Sequence, residues 1–193
     1  RGMIFIRYTI DDVSYQREIF SSAPDQVLVI RLSCNKPGRI CFHANLDRRP
    51  FDVGTRNLNN SSIALEGKCG QDGVAFSCIA RAEGEGGATK TAGDFICVEQ
   101  ANAVTLYLAA NTTYRHPEPE KACLKQIDDA VSQSYDTLRE NHIVDYRSLF
   151  QRVHFAIREE DEGLRLLPTD ERLNRVASGG KDNGLINLYF QFG

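Results

Sequence analysis

The sequence has no tryptophan and one methionine in 193 residues, and none of its six cysteines forms a CxxC pair. Without CxxC pairs it lacks the usual signature of a zinc ribbon or a zinc finger. No apolar run approaches the roughly 20 residues that cross a bilayer, so no membrane span is predicted. The formal net charge of −3 offers no basic excess, so no nucleic-acid partner is predicted.

Catalytic signatures are also scarce. The sequence has neither the GxSxG motif of a nucleophilic serine nor the GxxxxGK[ST] motif of a phosphate loop, and no HExxH zinc motif. Its four histidines, His43, His116, His142 and His154, fall in four different predicted elements, so no metal site is expected. Cys41 and His43 share a strand face, but a catalytic thiol needs an orienting third group. Strand alternation explains this pair more simply.

The six cysteines are Cys34, Cys41, Cys69, Cys78, Cys97 and Cys123. Most of them lie within apolar strand patterns, where a reduced thiol behaves as a small buried hydrophobe. A chain of this length needs no disulfide framework to build a core. Free thiols are therefore expected, which favours a reducing, cytoplasmic compartment.

The first 115 residues alternate with period two and predict about eight antiparallel strands. Residues 4–10 and 13–19 should form a hairpin about Asp11-Asp12, because both flanking runs alternate cleanly. Further strands are predicted at 27–32, 40–46, 63–69, 74–82, 95–99 and 104–110, with a long polar loop over 47–61 and strand boundaries left open over 83–93. No helical stretch interrupts them, which favours an antiparallel sandwich over a parallel α/β sheet.

From Pro117 onward the apolar residues change to helical spacing. A first helix is expected to begin near Pro117 and Pro119, and Ser134 is expected to cap a second. A short strand is predicted at 154–157, and 158–163 reads as a solvated charged turn. Thr169 should cap a third helix, and a fourth should begin near residue 185. The fold class is therefore β followed by α.

Five collinear segments resemble glycoside hydrolase family 95. They are residues 22–27, 134–138, 142–153, 167–173 and 188–193, the last two reading Leu-Pro-Thr-Asp-Glu-Arg-Leu and Leu-Tyr-Phe-Gln-Phe-Gly. The resemblance implies an antiparallel β super-sandwich, a helical linker and the start of an (α/α)6 barrel. It assigns residues 1–115 to the C-terminal part of the N-terminal sandwich, 116–163 to the linker and 164–193 to the beginning of the catalytic barrel.

The resemblance also implies an activity. Members of this family are α-L-fucosidases, some acting on α-L-galactosides, that hydrolyse with inversion and use no metal or organic cofactor. The implied partners are a fucosylated oligosaccharide or glycan substrate and the remaining catalytic barrel domain. The family's catalytic residues lie in the barrel beyond this chain, so no catalytic, cofactor-binding or metal-binding residue is carried over. Both ends of the chain are expected to lie inside a longer protein.

One alternative stays open at this point, a non-catalytic β-sandwich that binds carbohydrate or protein. Such modules bind sugars on aromatic platforms, and the chain has seven tyrosines and ten phenylalanines. The absence of tryptophan, the strongest sugar-stacking residue, counts against this interpretation.

Overall fold

The computed structural model describes residues 2–158 and 161–192. Ten strands come first and four α-helices follow. The strands are β1 (Met3–Ile10), β2 (Val13–Ser22), β3 (Val27–Cys34), β4 (Ile40–Ala44), β5 (Asp52–Asn59), β6 (Ser62–Lys68), β7 (Ala75–Glu85), β8 (Ala88–Ala92), β9 (Phe95–Ala101) and β10 (Ala103–Thr112). The helices are α1 (Pro119–Val131), α2 (Tyr135–Phe150), α3 (Thr169–Ala177) and α4 (Asn183–Phe192), with a 3-10 helix over Glu162–Leu166.

The strands form two antiparallel sheets. A seven-stranded sheet has the order β1-β2-β3-β10-β7-β6-β5, and a three-stranded sheet has the order β4-β9-β8. One face of the large sheet packs on the small sheet through Ile63, Ile96, Val98 and Val104, all fully buried. The predicted fold class, antiparallel β followed by α, is confirmed.

The chain divides into two compact units, residues 1–147 and residues 148–193. The first contains both sheets, α1 and most of α2. The second contains the 3-10 helix, α3 and α4. In the described part of the second unit, Leu164 is the one buried apolar side chain, and a buried ion pair joins Arg172 to Asp182.

The predicted polar loop at 47–61 is wrong, because β5 occupies Asp52–Asn59 at the edge of the large sheet. Its pairing with β6 shifts register twice, between Asp52 and Gly54 and between Asn57 and Asn59. Each bulge breaks the period-two pattern, and an edge strand can be polar on both faces. The bulges and the edge position therefore hide the period-two alternation on which strand prediction depends.

Two local predictions among the helices are also wrong. Residues 154–157 form no strand, because the described part of the second unit has no other strand to pair with. Thr169 is the first residue of α3 and not its cap, a position that Pro168 takes without a side-chain hydrogen bond. By contrast, Ser134 does cap α2, since its Oγ accepts from the Thr137 amide at 3.1 Å.

Candidate functional site

The face of the large sheet opposite the small sheet is covered by α1 and the first half of α2. Period-3.6 spacing places Cys123, Ile127 and Leu138 toward the sheet, and all three are fully buried. They pack against the strand residues Phe20, Val27, Val29, Ile79, Tyr107 and Ala109. We call this contact the helix–sheet junction. Burial of these side chains, each worth about 1.5–3 kcal/mol, anchors the helices to the sheet.

A polar network closes one side of the junction around Tyr135. The Tyr135 hydroxyl donates to a Glu18 carboxylate oxygen at 2.6 Å, and Arg139 lies 3.6 Å from the same oxygen. The Arg31 guanidinium lies over the Tyr135 ring at 4.9 Å and also pairs with Glu85 at 2.7 Å. Burial, then the hydrogen bond to Glu18, raises the pKa of Tyr135. The phenol therefore stays protonated and orients α2, because its hydroxyl donates a hydrogen bond to the Glu18 carboxylate.

Ion pairs continue the network along α1. Arg81 on β7 pairs with Asp128 at 2.7 Å, and Arg56 on β5 pairs with Glu120 at 2.8 Å. Glu66 also faces Arg56, at 3.5 Å. The hydrogen bond from Arg56 lowers the pKa of Glu120. A glycosidase acid needs the opposite shift, so Glu120 suits a structural role and not proton donation.

His142 is the one histidine that the junction buries, among the described residues. Its ring stacks on Phe20 with centroids 5.1 Å apart, and its Nε2 lies 2.9 Å from the Gly2 carbonyl oxygen. Tyr146 follows one helical turn later, with ring centroids 6.0 Å apart. His142 therefore ties α2 to the strand that begins the chain.

The other three histidines do not converge. His43 lies on β4 beside Phe95, His116 precedes α1, and His154 lies in an irregular segment of the second unit. No group of three or more potential metal ligands occurs within residues 2–158 and 161–192. Over the same ranges, no helix is long and apolar enough to cross a bilayer.

Two of the thiols are kept protonated by burial, whereas Cys41 is exposed. All six cysteines are free, but burial raises the pKa of Cys78 to about 11 and raises that of Cys123 as well. The exposed Cys41 accepts a hydrogen bond from the Gln100 amide at 3.2 Å, while the neighbouring His43 ring faces Phe95. These contacts show Cys41 and His43 serving different neighbours on one strand face.

In the glycine-rich segment 84–87, Gly84 and Glu85 end β7, and Gly86-Gly87 connects β7 to β8, which lies in the other sheet. Gly86 and Gly87 have φ values of 71° and 67°, in the left-handed region that glycine adopts without a Cβ clash. Glycine is used here for backbone geometry.

Three carboxyl groups have pKa values that are lowered by a neighbouring cation. Arg56 lowers the pKa of Glu120, Lys90 lowers that of Glu99, and Arg172 lowers that of Asp182 to about 2. Each of these acids is held ionised by a cation. None of the three suits the protonated acid that glycoside cleavage needs.

Two models of known protein families match this chain. Residues 1–117, more than half of the chain, match the family model described as "Glycosyl hydrolase family 65, N-terminal domain". The chain belongs to this family. Residues 134–193 match a second model, "Glycosyl hydrolase family 95 catalytic domain". The family 95 resemblance predicted from the sequence is thereby confirmed. Helix α1 of the helix–sheet junction lies between the two matched regions.

The chain is also similar to one curated protein and to one solved structure. "Alpha-L-fucosidase 2" of Arabidopsis thaliana is 25% identical over 222 residues, covering 97% of the chain and 26% of that protein. The chain thus spans about a quarter of this relative. A solved structure named "Putative kojibiose phosphorylase from human microbiome" matches 77% of the chain and 23% of its own, with a TM-score of 0.52 at 11% identity. That likeness shows the fold.

Sequence reasoning missed the polar network of the junction. Its partners lie far apart in sequence, Glu18 with Tyr135 and Arg56 with Glu120 for example. Charged residues on strands and helices usually face solvent, so no local pattern marks them as partners. The one local signal was Ser134 as a cap, because it fixes where α2 begins.

Proposed function

We propose that this chain forms part of the N-terminal β-sandwich, the helical linker and the beginning of the catalytic barrel of an inverting glycoside hydrolase. The enzyme would cleave α-L-fucosyl or related α-L-galactosyl linkages. The observation that carries the proposal is the match to an α-L-fucosidase over 97% of the chain but only 26% of the relative. In this proposal the acid and the water-activating residue lie in sequence that follows the chain. Its domains would be 1–115, 116–163 and 164–193.

Two structural features support this role. The carboxylates of the junction are engaged by arginines, so they hold elements together and are not poised for chemistry. In the second unit, Leu166, Tyr189 and Phe192 are 88%, 80% and 92% exposed. Apolar surface of this extent favours burial against further polypeptide, which a helical barrel would supply.

The first test is the activity of the purified chain. With an aryl α-L-fucoside and with fucosylated oligosaccharides as substrates, we expect no release of fucose above the buffer blank. The physical reason is that glycoside hydrolysis needs two carboxyl groups flanking one bond. Measurable turnover that survives repurification would place the active site within this chain and contradict the proposal.

The reading frame provides a second, inexpensive test. We expect roughly 300 or more further residues with helical spacing downstream of residue 193, enough for a catalytic barrel. A stop codon directly after residue 193, or a downstream sequence without helical periodicity, would reject the proposal while leaving the family match intact.

A further inference from the structure

A cavity opens between the β1–β3 side of the large sheet and the β4 edge of the small sheet. Its volume is about 180 Å³. Drug-sized ligands occupy roughly 300–1,000 Å³, so this cavity is sized for one small ring and not for a longer ligand. It lies entirely within the first unit and apart from the helix–sheet junction.

Stacked tyrosines form one wall of the cavity. Tyr8 on β1 and Tyr15 on β2 are cross-strand partners, with ring centroids 5.1 Å apart and planes inclined by 14°. Leu32 and Phe42 add an apolar floor. Aromatic and aliphatic walls with a few polar groups are the usual lining of a small-molecule site, because they exclude water from one face of the ligand.

The polar groups of the cavity are cationic. Arg17 donates to the Tyr8 hydroxyl at 3.1 Å, with its guanidinium 5.4 Å from the Tyr8 ring centroid. Arg39 also lines the cavity. Among the described residues neither arginine forms an ion pair, and none of those lining the cavity is acidic. Two unneutralised guanidinium groups beside low-dielectric walls attract an anion.

The rim of the cavity is held in place by hydrogen bonds. The Tyr15 hydroxyl donates to the Arg39 carbonyl oxygen at 3.4 Å. The turn before Arg39 is fixed where the Gly38 amide donates to the Asn102 side chain at 2.8 Å. A rim fixed in this way loses little conformational entropy on binding, which favours affinity for a small ligand.

We propose that this cavity is a non-catalytic subsite for an anionic sugar, with the carboxylate or sulfate of one ring between Arg17 and Arg39 and its apolar face on the Tyr8–Tyr15 wall. The proposal goes beyond the hydrolytic role and does not depend on it, because every residue it uses lies in this chain. A tyrosine pair here takes the place of the tryptophan that the sequence lacks.

Direct titration of the full 193-residue chain tests the proposal. The probes are glucuronate and glucose 6-sulfate, with glucose as the neutral match and inorganic sulfate as the bare anion. We expect saturable binding of at least one anionic sugar, at least tenfold tighter than glucose and tighter than sulfate, weakening as NaCl screens the arginines. Equal binding of glucose, equal binding of sulfate, or no binding of either anionic sugar would overturn it.

Matched variants locate the binding. Arg17→Gln should weaken anionic-sugar binding at least tenfold, whereas Arg115→Gln removes the same charge from an exposed loop and should leave binding unchanged. Tyr8→Phe should weaken binding less, because it removes the hydroxyl that orients Arg17 but keeps the ring. Equal losses in the Arg17 and Arg115 variants would show that net charge, and not the cavity, holds the sugar.

Thiol protection gives an independent readout. Cys41 is an exposed thiol that lines the cavity, and Cys69 lies outside it. With bound sugar, alkylation of Cys41 should slow in proportion to occupancy while that of Cys69 does not, as peptide mapping can show. Unchanged alkylation of Cys41 at saturating sugar would place the ligand elsewhere and contradict the proposal. Fucosidase activity enters none of these readouts, so this site and the proposed function can fail separately.

Discussion

Two buried serine hydroxyls in the first unit differ in whether they have a hydrogen-bond partner. Ser62 and Ser77 are both buried serines on neighbouring strands, β6 and β7. The Ser62 hydroxyl accepts from Arg81 Nε at 3.1 Å. Among the described residues, the Ser77 hydroxyl is the one buried side-chain polar atom without a partner. A buried hydroxyl without a hydrogen bond costs free energy that a methyl group does not.

The two serines make a matched pair of predictions. Ser77→Ala should leave the free energy of unfolding unchanged or raise it by about 1 kcal/mol, because the desolvation penalty disappears. Ser62→Ala should lower it by about 1–2 kcal/mol, because Arg81 loses an acceptor. Urea unfolding followed by circular dichroism measures both. A loss in the Ser77 variant as large as that of Ser62→Ala would show that Ser77 has a partner.

Asp182 predicts an acid dependence of the second unit. Its carboxylate accepts from Arg172 at 2.7 and 2.8 Å and from the Leu185 amide at 2.7 Å, and Arg172 lowers its pKa to about 2. A lowered pKa adds stability above the ordinary value of 3.8, which is lost as the pH falls from about 4 toward 2. Asp182→Asn should remove this dependence and cost about 3–5 kcal/mol at pH 7, because it leaves Arg172 buried without its counter-charge.

Amide hydrogen exchange across residues 161–192 measures this effect. Asp170→Asn, which changes an exposed carboxylate in the first turn of α3, is the control and should cost at most about 1 kcal/mol. An Asp182 variant that keeps the wild-type acid dependence would show that other carboxylates determine it.

At the scale of elements, the β1–β2 turn and the cap of α2 were predicted, whereas the edge strand β5 and the cap of α3 were not. The β1–β2 hairpin was predicted because two cleanly alternating runs flank Asp11-Asp12. The structure confirms it, and Asp11 takes a φ of 53° in the turn. The β5 strand was not, because its bulges hide the alternation and Val53 is 85% exposed. The pattern also failed at 154–157, where apolar residues alternate but the described residues from 161 to 192 contain no partner strand. Periodicity reports a local preference, whereas pairing decides the strand.

Two glycines predict different costs for the same substitution. Gly87 and Gly93 both have positive φ values, 67° and 61°. A Cβ on Gly87 would overlap the backbone of Glu99 and Gln100, whereas Gly93 has open space within 4 Å. Gly93→Ala should therefore cost only the left-handed strain of about 1–2 kcal/mol, and Gly87→Ala clearly more. Thermal unfolding of the two variants measures the difference, and equal melting temperatures would contradict it.

Tyr135 predicts an alkaline dependence of the junction. Its pKa is raised from 10.0 by burial and by the hydrogen bond to Glu18. A raised pKa adds stability below the unfolded value near 10, which is lost as the pH rises further. Tyr135→Phe should cost about 1–2 kcal/mol at pH 7 and reduce the loss above pH 10. Tyr114→Phe, at a hydroxyl that is 82% exposed, is the control.

Urea unfolding followed by circular dichroism between pH 8 and 11 separates these cases. If the Tyr135 and Tyr114 variants show the same pH dependence, the phenol of Tyr135 does not hold the α2 end of the junction.

At the scale of the whole molecule, the fold class and the family 95 resemblance followed from the sequence, whereas the long-range side-chain contacts and the match of residues 1–117 to family 65 did not. Period-two and period-3.6 patterns are local, so they located the sheets and the helices. The contacts that fix the helices on the sheet, such as Arg81 with Asp128, join residues 47 positions apart. The cavity between Arg17 and Arg39 likewise requires the two sheets to meet. The helix–sheet junction and the cavity are therefore each formed by residues from several separate segments of the chain.

The central proposal is that these residues support a sugar-cleaving centre that lies in sequence beyond them. Proton NMR of the anomeric signals during digestion of an α-L-fucoside tests it most directly, with this chain and the longer polypeptide assayed side by side. The expected result is no reaction with residues 1–193 alone, and release of β-L-fucose by the longer polypeptide, because a directly attacking water inverts the anomeric carbon. Fucose released by the chain alone, or α-L-fucose as the first product of the longer polypeptide, would contradict it.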